Sequence, residues 1–326
     1  MPEVKRLKTL VKSLALGAVF TAAASTGVVN AAEPDWSSIE SQKVTLFYPG
    51  VASWELMTRK DHGTGMKPTQ KGKKSCEKCH VNKKGEYDIA ADKIVAGKLT
   101  MSDSGGVYEP NPRTDLTGYM DVQFQAAYDA ENVYMKVTWP SAGTSFSDAS
   151  IAEAGKADRV SIQLADKKVK TFAKFGCYVT CHDDMKDMPE DKGRKLYADF
   201  SAKKGKALPQ AMLDKLIDKG QIIDQWVAAF HGSEIKLTDE YIASDRQDDN
   251  MDISATGGFA DGNYSVVFTR PLNTGDKGDV AIPAKGTVSV SIAIHEKNSD
   301  SRVHYTSFPV SIGINAKKAD VVATKL

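Results

Sequence analysis

The stretch Met120-Asp121-Val122-Gln123-Phe124-Gln125-Ala126-Ala127-Tyr128 is followed by the turn residues Asp129-Ala130-Glu131-Asn132 and then by Val133-Tyr134-Met135-Lys136-Val137-Thr138-Trp139. Side chains alternate in character along both arms, as they must when successive residues of a strand point to opposite faces. Two such runs joined by four turn residues predict an antiparallel hairpin. Outward from it the pattern recurs at 159–164, 264–270, 286–294 and 306–310. Strands on both sides of residues 165–255 predict one mainly β architecture, an antiparallel β-sandwich carrying a partly helical insertion across those residues. Within the insertion, 192–205 is charged and lacks a core pattern, while 211–217 and 222–231 read as helices.

Toward the N-terminus, 43–50 reads as a short extended segment stopped by Pro49-Gly50, and 53–57 as the start of a helical turn. Residues 59–75 are rich in Lys and Gly with almost no apolar side chains, so they form a loop unless a cofactor organises them. Ile89, Ala90, Ile94, Val95 and Leu99 recur near helical spacing, with Gly97 close to the helix end. Composition changes at 102–106, which divides the chain into an N-terminal segment, 32–104, and the sandwich, 105–326. There is no solenoid repeat and no coiled coil.

The first residues set the expected compartment. Lys5, Arg6, Lys8 and Lys12 precede the small apolar run 13–24, and Val29-Asn30-Ala31 carries the small residues a signal peptidase reads. Residues 1–31 are therefore expected to be a cleaved signal peptide that sends the chain to the periplasm. No stretch approaches the roughly 20 apolar residues of a membrane helix, so no transmembrane segment is expected. Removing 1–31 takes away four positive charges and Glu3, turning a formal +1 into −2. That balance argues against nucleic acid or an anionic membrane as partner.

Four cysteines in an exported chain ordinarily suggest two disulfides. Here they occur as Cys76-Glu77-Lys78-Cys79-His80 and Cys177-Tyr178-Val179-Thr180-Cys181-His182, each pair followed at once by one of only six histidines. In Cys-x-x-Cys-His the thiols form thioethers with the haem vinyl groups and the histidine is delivered beneath the iron. The second motif is one residue longer, and the extra residue is expected to bulge outward so that both sulfurs reach the ring edge. The expectation is two covalent haem c groups, with Cys76, Cys79, Cys177 and Cys181 as attachment points and His80 and His182 as proximal iron ligands. Two disulfides, or one structural zinc on the four thiols, are the alternatives.

Each iron also needs a sixth ligand or an open position. For the first haem the candidate is His62, with Met57 and Met66 as rivals; methionine would raise the potential relative to histidine. For the second, His231 leads, followed by His304 and then His295. Met185 and Met188 follow the motif, but Met185 is too close to His182 to reach the opposite face of a ring. No other constellation stands out: there is no nucleophile elbow, phosphate loop or metalloprotease helix. Asp239, Glu240, Asp245, Asp248, Asp249 and Asp252 form an acidic run that could bind calcium, but it lacks the glycine and terminal Glu of an EF-hand, which favours a solvated loop.

The segments 122–134, 157–164, 175–182 and 304–309 resemble the haem-binding domain of the ethylbenzene dehydrogenase gamma-subunit family, also found in relatives of DMSO reductase. Specifically, they are similar to its cytochrome c members, which add an N-terminal haem segment. The resemblance spans about residues 105–326. It implies a β-sandwich with haem beside an insertion, engaged in periplasmic electron transfer with a molybdenum oxidoreductase, a quinol-linked cytochrome or a related anaerobic respiratory chain. Haem b members of that family hold iron with methionine and lysine. Where they have Trp-x-Trp-Lys this chain has Trp226-Val227-Ala228-Ala229, without the lysine, so the implied axial pair does not carry over.

These expectations combine into a dihaem c-type cytochrome passing single electrons to or from a respiratory oxidoreductase. The alternatives are a haem enzyme acting on peroxide or a nitrogen oxide at a five-coordinate second iron, and a β-sandwich binding protein with two disulfides and no haem.

Overall fold

The computed structural model describes residues 33–48, 75–101, 105–181, 209–243, 246–299 and 303–326. The expected signal peptide, the loop 59–74, the helical turn at 53–57 and the segment 192–205 lie outside them.

Among the described residues the chain forms fourteen strands. They are β1 (Gln42–Phe47), β2 (Tyr119–Tyr128), β3 (Asn132–Pro140), β4 (Arg159–Ala165), β5 (Ile223–His231), β6 (Glu234–Ile242), β7 (Arg246–Asp248), β8 (Ser254–Ala260), β9 (Asn263–Pro271), β10 (Gly286–His295), β11 (Tyr305–Ser307), β12 (Val310–Ile314), β13 (Val321–Val322) and β14 (Thr324–Lys325). The hairpin expected at 120–139 is β2–β3, in register from Gln123↔Thr138 to Tyr128↔Val133. The sheet runs β7-β6-β5-β4-β10-β11-β1-β2-β3-β9-β8, with β12 beside β10, β13 on β12 and β14 on β2.

The ends of this order face each other across one core. Phe230 of β5 stacks on Tyr264 of β9 at 4.2 Å, Trp226 of β5 lies 6.0 Å from Phe268 of β9, and Trp139 of β3 lies 6.3 Å from Phe230. All five rings are fully buried. Burying each large apolar side chain stabilises the fold by about 1.5–3 kcal/mol, so this shared core is what folds the sheet into two layers.

Two expectations need correction. Residues 222–231 are not a helix: β5 pairs with β4 from Arg159↔Ala229 to Ala165↔Ile223 and with β6 from Ile223↔Ile242 to His231↔Glu234. A continuous apolar run is compatible with either structure, and the β-branched and aromatic residues Ile222, Ile223, Trp226, Val227 and Phe230 favour the strand, as does an alternating partner at 234–242. Much of the expected insertion is therefore sheet. Its longest helix among the described residues is Gln210–Ile217, as expected at 211–217. Second, β1 comes from the segment expected to stand apart at 32–104, yet it pairs with β2 on one side and β11 on the other.

The helix expected around 89–99 is the short Ala91–Val95, and Gly97 follows it at φ +66°. This piece is tied to the sheet by the Asp92 carboxylate, which accepts from the Gly118 N–H at 2.8 Å, and by the Tyr119 hydroxyl, which donates to the Ile89 carbonyl.

Candidate functional site

The side of β4, β5, β10 and β11 turned away from the core carries Gln163, Gln225, Ser291 and Thr306. Against it lies the second cysteine loop. A short helix, Phe172–Phe175, leads into a 3-10 helix, Gly176–Thr180, all five residues of which are buried. Gly176 has φ +57°, and a Cβ there would come within 2.7 Å of Ser291 Oγ, so only glycine lets the loop lie this close to β10.

The extra residue is thus accommodated differently from the expected outward bulge. Tyr178, Val179 and Thr180, the three residues between the thiols, all turn inward. The 3-10 turn shortens the path: Cys181 N–H donates to Tyr178 O at 3.2 Å, and Thr180 Oγ1 donates to Cys177 O at 2.7 Å. Cys177 is buried and shares a 3.0 Å hydrogen bond with Thr306 Oγ1. Burial pushes its thiol pKa up, an effect partly offset by Thr306 and Ser291. Beneath the loop a polar chain fixes its register. Gln163 Nε2 donates to Gln225 Oε1 at 2.7 Å and reaches Thr180 Oγ1 at 3.5 Å, and Gln225 Nε2 donates to Glu240 Oε2 at 2.5 Å.

The first loop sits on the same face. Cys76 N–H donates to Lys174 O at 3.4 Å, immediately before the second loop. Burial pushes the Cys76 thiol up to about 12, with smaller contributions from Glu77 and Cys177. The helix Glu77–His80 has no buried residue. His80 Nδ1 lies 3.1 Å from Asp88 O. A carbonyl can only accept, so Nδ1 carries the proton and the ring's lone pair is on Nε2, the atom an iron would take.

An aromatic cluster joins the loops. Phe47 contacts Phe308 at 4.8 Å and Tyr178 at 5.9 Å, and Tyr87 contacts Phe308 at 5.3 Å. Phe172, Phe175 and Val179 complete it, with Cys76 and Ile89 packed at its edge. The Tyr178 hydroxyl is buried without a hydrogen-bond partner.

These residues fit covalent haem. Neither cysteine pair is joined as a disulfide. Nor do the four thiols converge on one point: among the described residues, the grouping of His, Cys, Asp and Glu able to hold an ion is Asp224, Asp239 and Asp279. An apolar aromatic wall between two thiol pairs, with one orphaned hydroxyl, suits a flat apolar ring that carries carboxylates.

The other candidate ligands separate by position. His182, His62, Met57, Met66, Met185 and Met188 lie outside the described residues. His304 is two residues from Thr306, at most about 7 Å of chain, and its ring stacks on that of His295 at 4.6 Å. His231 is remote. Thr306 aligns through Ala293 and Ser161 with Val227, and His231 lies four residues beyond Val227 on β5. Three strands across and four residues along amount to roughly 20 Å. His304 thus lies much closer than His231 to the point where Thr306 meets Cys177 of the second loop.

Sequence reasoning missed the residues supporting that loop: Gln163, Gln225, Ser291 and Thr306. Nothing local marks them, because each is an ordinary polar residue on the solvent-side phase of a strand. It also misjudged the acidic run. Asp239 is buried with Asp224 and Asp279, and Asp249 and Asp252 are half-buried, while Asp248 is exposed and Asp245 lies outside the described residues. Burial, opposed by Arg270, pushes the Asp224 carboxyl up to about 7; burial and then Asp224 push Asp239 up to about 8. The available signal was Asp224 itself, an acid within the apolar run 222–230.

A mainly antiparallel sheet thus presents two cysteine-pair loops on one face, with thiols placed as covalent haem attachment requires, and similarity to known proteins gives the class: a c-type cytochrome. Residues 33–251 and 190–307 match the family described as ethylbenzene dehydrogenase. The chain belongs to that family. It is 31% identical to cytochrome c-552 of Stutzerimonas stutzeri over 98% of this chain and 99% of that one. It is 26% identical to cytochrome c-551 of Rhodocyclus tenuis over 90% of this chain and 99% of that one. Among solved structures, a carbohydrate binding module of family 9 from Caldicellulosiruptor kristjanssonii in complex with glucose covers 58% of this chain and 66% of its own, at 11% identity and a TM-score of 0.29. A likeness that low carries no argument. No helix among the described residues is long and apolar enough to cross a membrane.

Proposed function

We propose that the chain is a periplasmic dihaem electron carrier in which both cysteine loops hold haem c on one face of the sheet. The observation that carries this reading is the meeting of the loops: Cys76 hydrogen-bonds to Lys174, and the Phe47, Tyr87, Tyr178 and Phe308 rings fill the space between them. When bound, haem c supplies an iron that cycles between two oxidation states one electron at a time.

The residues of the chain have separable tasks. Cys76, Cys79, Cys177 and Cys181 tether the rings. His80, its tautomer set by Asp88 O, ligates the first iron and His182 the second. His62 is the sixth ligand of the first, with Met57 and Met66 as rivals. The position of His304, close to Thr306 and stacked on His295, supports it over His231 as sixth ligand of the second. The aromatic cluster would exclude water from the space between the two loops, where the haems would be held. The redox partner is a respiratory oxidoreductase, a molybdenum enzyme or a quinol-linked cytochrome.

The test is the intact mass of protein matured in a host competent for c-type cytochromes. The expected mass is that of the chain from Ala32 onward plus two haems. A single added haem would leave the Cys177–Cys181 loop without its assigned role.

A further inference from the structure

We propose that Asp224, Asp239 and Asp279, with Asp252 beside them, form a binding site for one calcium ion between the two layers of the sheet. The three carboxylates are buried, and each places an oxygen within 4.8 Å of the other two.

One oxygen of each already has a partner. Asp224 Oδ2 accepts from Arg270 Nη1 and from the Val280 N–H at 3.1 Å. Asp279 Oδ1 accepts from Arg270 Nη1 at 3.2 Å, and Asp239 Oδ2 lies 3.4 Å from the Asp252 N–H. The second oxygens, Asp224 Oδ1, Asp239 Oδ1 and Asp279 Oδ2, are buried with no partner, and so is Asp252 Oδ1. Each side chain is therefore held in place by one oxygen, which leaves a second, buried oxygen free to take a ligand. Buried polar atoms are nearly always paired, and four orphaned acceptors in one cluster leave a missing donor or cation as the explanation.

Charge points the same way. Four carboxyl groups face the single guanidinium of Arg270, and burying that excess of negative charge is unfavourable unless the groups take up protons or a cation accompanies them, so a bound cation would displace those protons. The donors are all oxygen, which selects a hard cation over zinc or copper. Ligand set separates the two common hard divalent ions: magnesium keeps several of its waters and demands near-ideal octahedral geometry, whereas calcium accepts a cage of several protein carboxylates with flexible geometry.

The ligands come from β5, β6 and the loops that follow β7 and β9, so the site is a product of tertiary structure and lacks the single loop of an EF-hand. An ion there would clamp the layers directly behind the second cysteine loop. Asp224 and Asp239 adjoin Gln225 and Glu240, whose side chains are linked through Gln163 to Thr180 on the other side of the sheet.

The experiment is a calorimetric titration of chelator-treated holoprotein with calcium chloride, with magnesium chloride as a parallel arm, read alongside native mass and thermal unfolding. One calcium per chain and a rise of several degrees in the unfolding midpoint are expected, with magnesium binding at least about tenfold more weakly. Asp239→Asn and Asp279→Asn preserve side-chain volume and should each weaken calcium binding by roughly tenfold or more. The proposal is overturned if the wild-type holoprotein neither binds calcium nor shifts its midpoint, if magnesium binds as tightly, or if both variants bind calcium like the wild type. The wild-type titration decides the matter even if a variant fails to fold.

Discussion

No residue of the helix Glu77–His80 is buried, whereas all five residues of Gly176–Thr180 are. The first loop touches the rest of the chain through Cys76, Val81 and Tyr87 at the edge of the aromatic cluster. The second is seated on β10 by Gly176, on β11 by the Cys177–Thr306 bond and on β4 by Thr180 and Gln163. The difference explains the spacing of the two motifs. Where the chain is exposed, the compact two-residue spacer lets a single helical turn present both thiols and the histidine. Where a sheet already supports the backbone, three inward-facing residues can separate the thiols, because packing rather than the haem sets the loop's shape.

This contrast can be broken in three ways. The largest effect is expected at the distal side of the second loop. On the proposed dihaem reading, His304→Ala should convert the haem of the second loop to a high-spin form that binds carbon monoxide when reduced, leaving the spectrum of the other unchanged, and His231→Ala should leave both unchanged. The opposite pattern would move the second site toward β5.

Next comes the backbone. Gly176→Ala forces a side chain into a glycine-only conformation against Ser291 and should destabilise the protein by roughly 1–3 kcal/mol, with reduced loading of the second haem. Gly85→Ala, near the first loop, has φ +82° but nothing within 4 Å of the added carbon. It should lower stability by only about 1 kcal/mol. Denaturant midpoints and intact masses check both; equal effects at the two glycines would erase the distinction between exposed and seated loops.

The smallest effect concerns pH. Glu296 adjoins the end of β10, and its carboxyl accepts from Trp139 Nε1 at 2.5 Å and Ser141 Oγ at 2.7 Å. Burial first, and then Asp158, push it up to about 8, while Ser141, Trp139 and Lys297 oppose the shift. Between the ordinary carboxylate range and about 8 the folded protein holds a proton that the unfolded chain releases. Stability contributed by this group is therefore present at low pH and lost as pH rises through that window, at no more than about 1.4 kcal/mol per unit. Urea midpoints measured from about pH 5 to pH 8 should fall less steeply in Glu296→Gln. Because the effect originates in the sheet, it should appear in unfolding of the second loop and leave local opening of the first loop, read by hydrogen exchange, unaltered.

Much of the sheet could be read from the chain, because alternation at 120–139, 159–164, 264–270 and 286–294 leaves few ways to bury one face of each strand. The run 222–231 could not, since a strand buried on both faces loses the alternation that would identify it. Gln225 and His231 are in phase on β5, yet only Gln225 lies behind the second loop, and nothing in the local sequence distinguishes them. Asp224 is legible in hindsight as an acid among core residues, but its partners Asp239 and Asp279 come from positions 15 and 55 residues further along.

Residue type and spacing by themselves determined the mainly β architecture and the two cysteine-pair loops, since strand period and thiol chemistry are both local properties. Only the tertiary structure decided that the loops share one face, that His304 lies nearer than His231 to the second, and that Asp224, Asp239 and Asp279 are buried together. Those outcomes depend on which strands become neighbours, and strand neighbours here are set by burial of a common core between residues far apart in the chain.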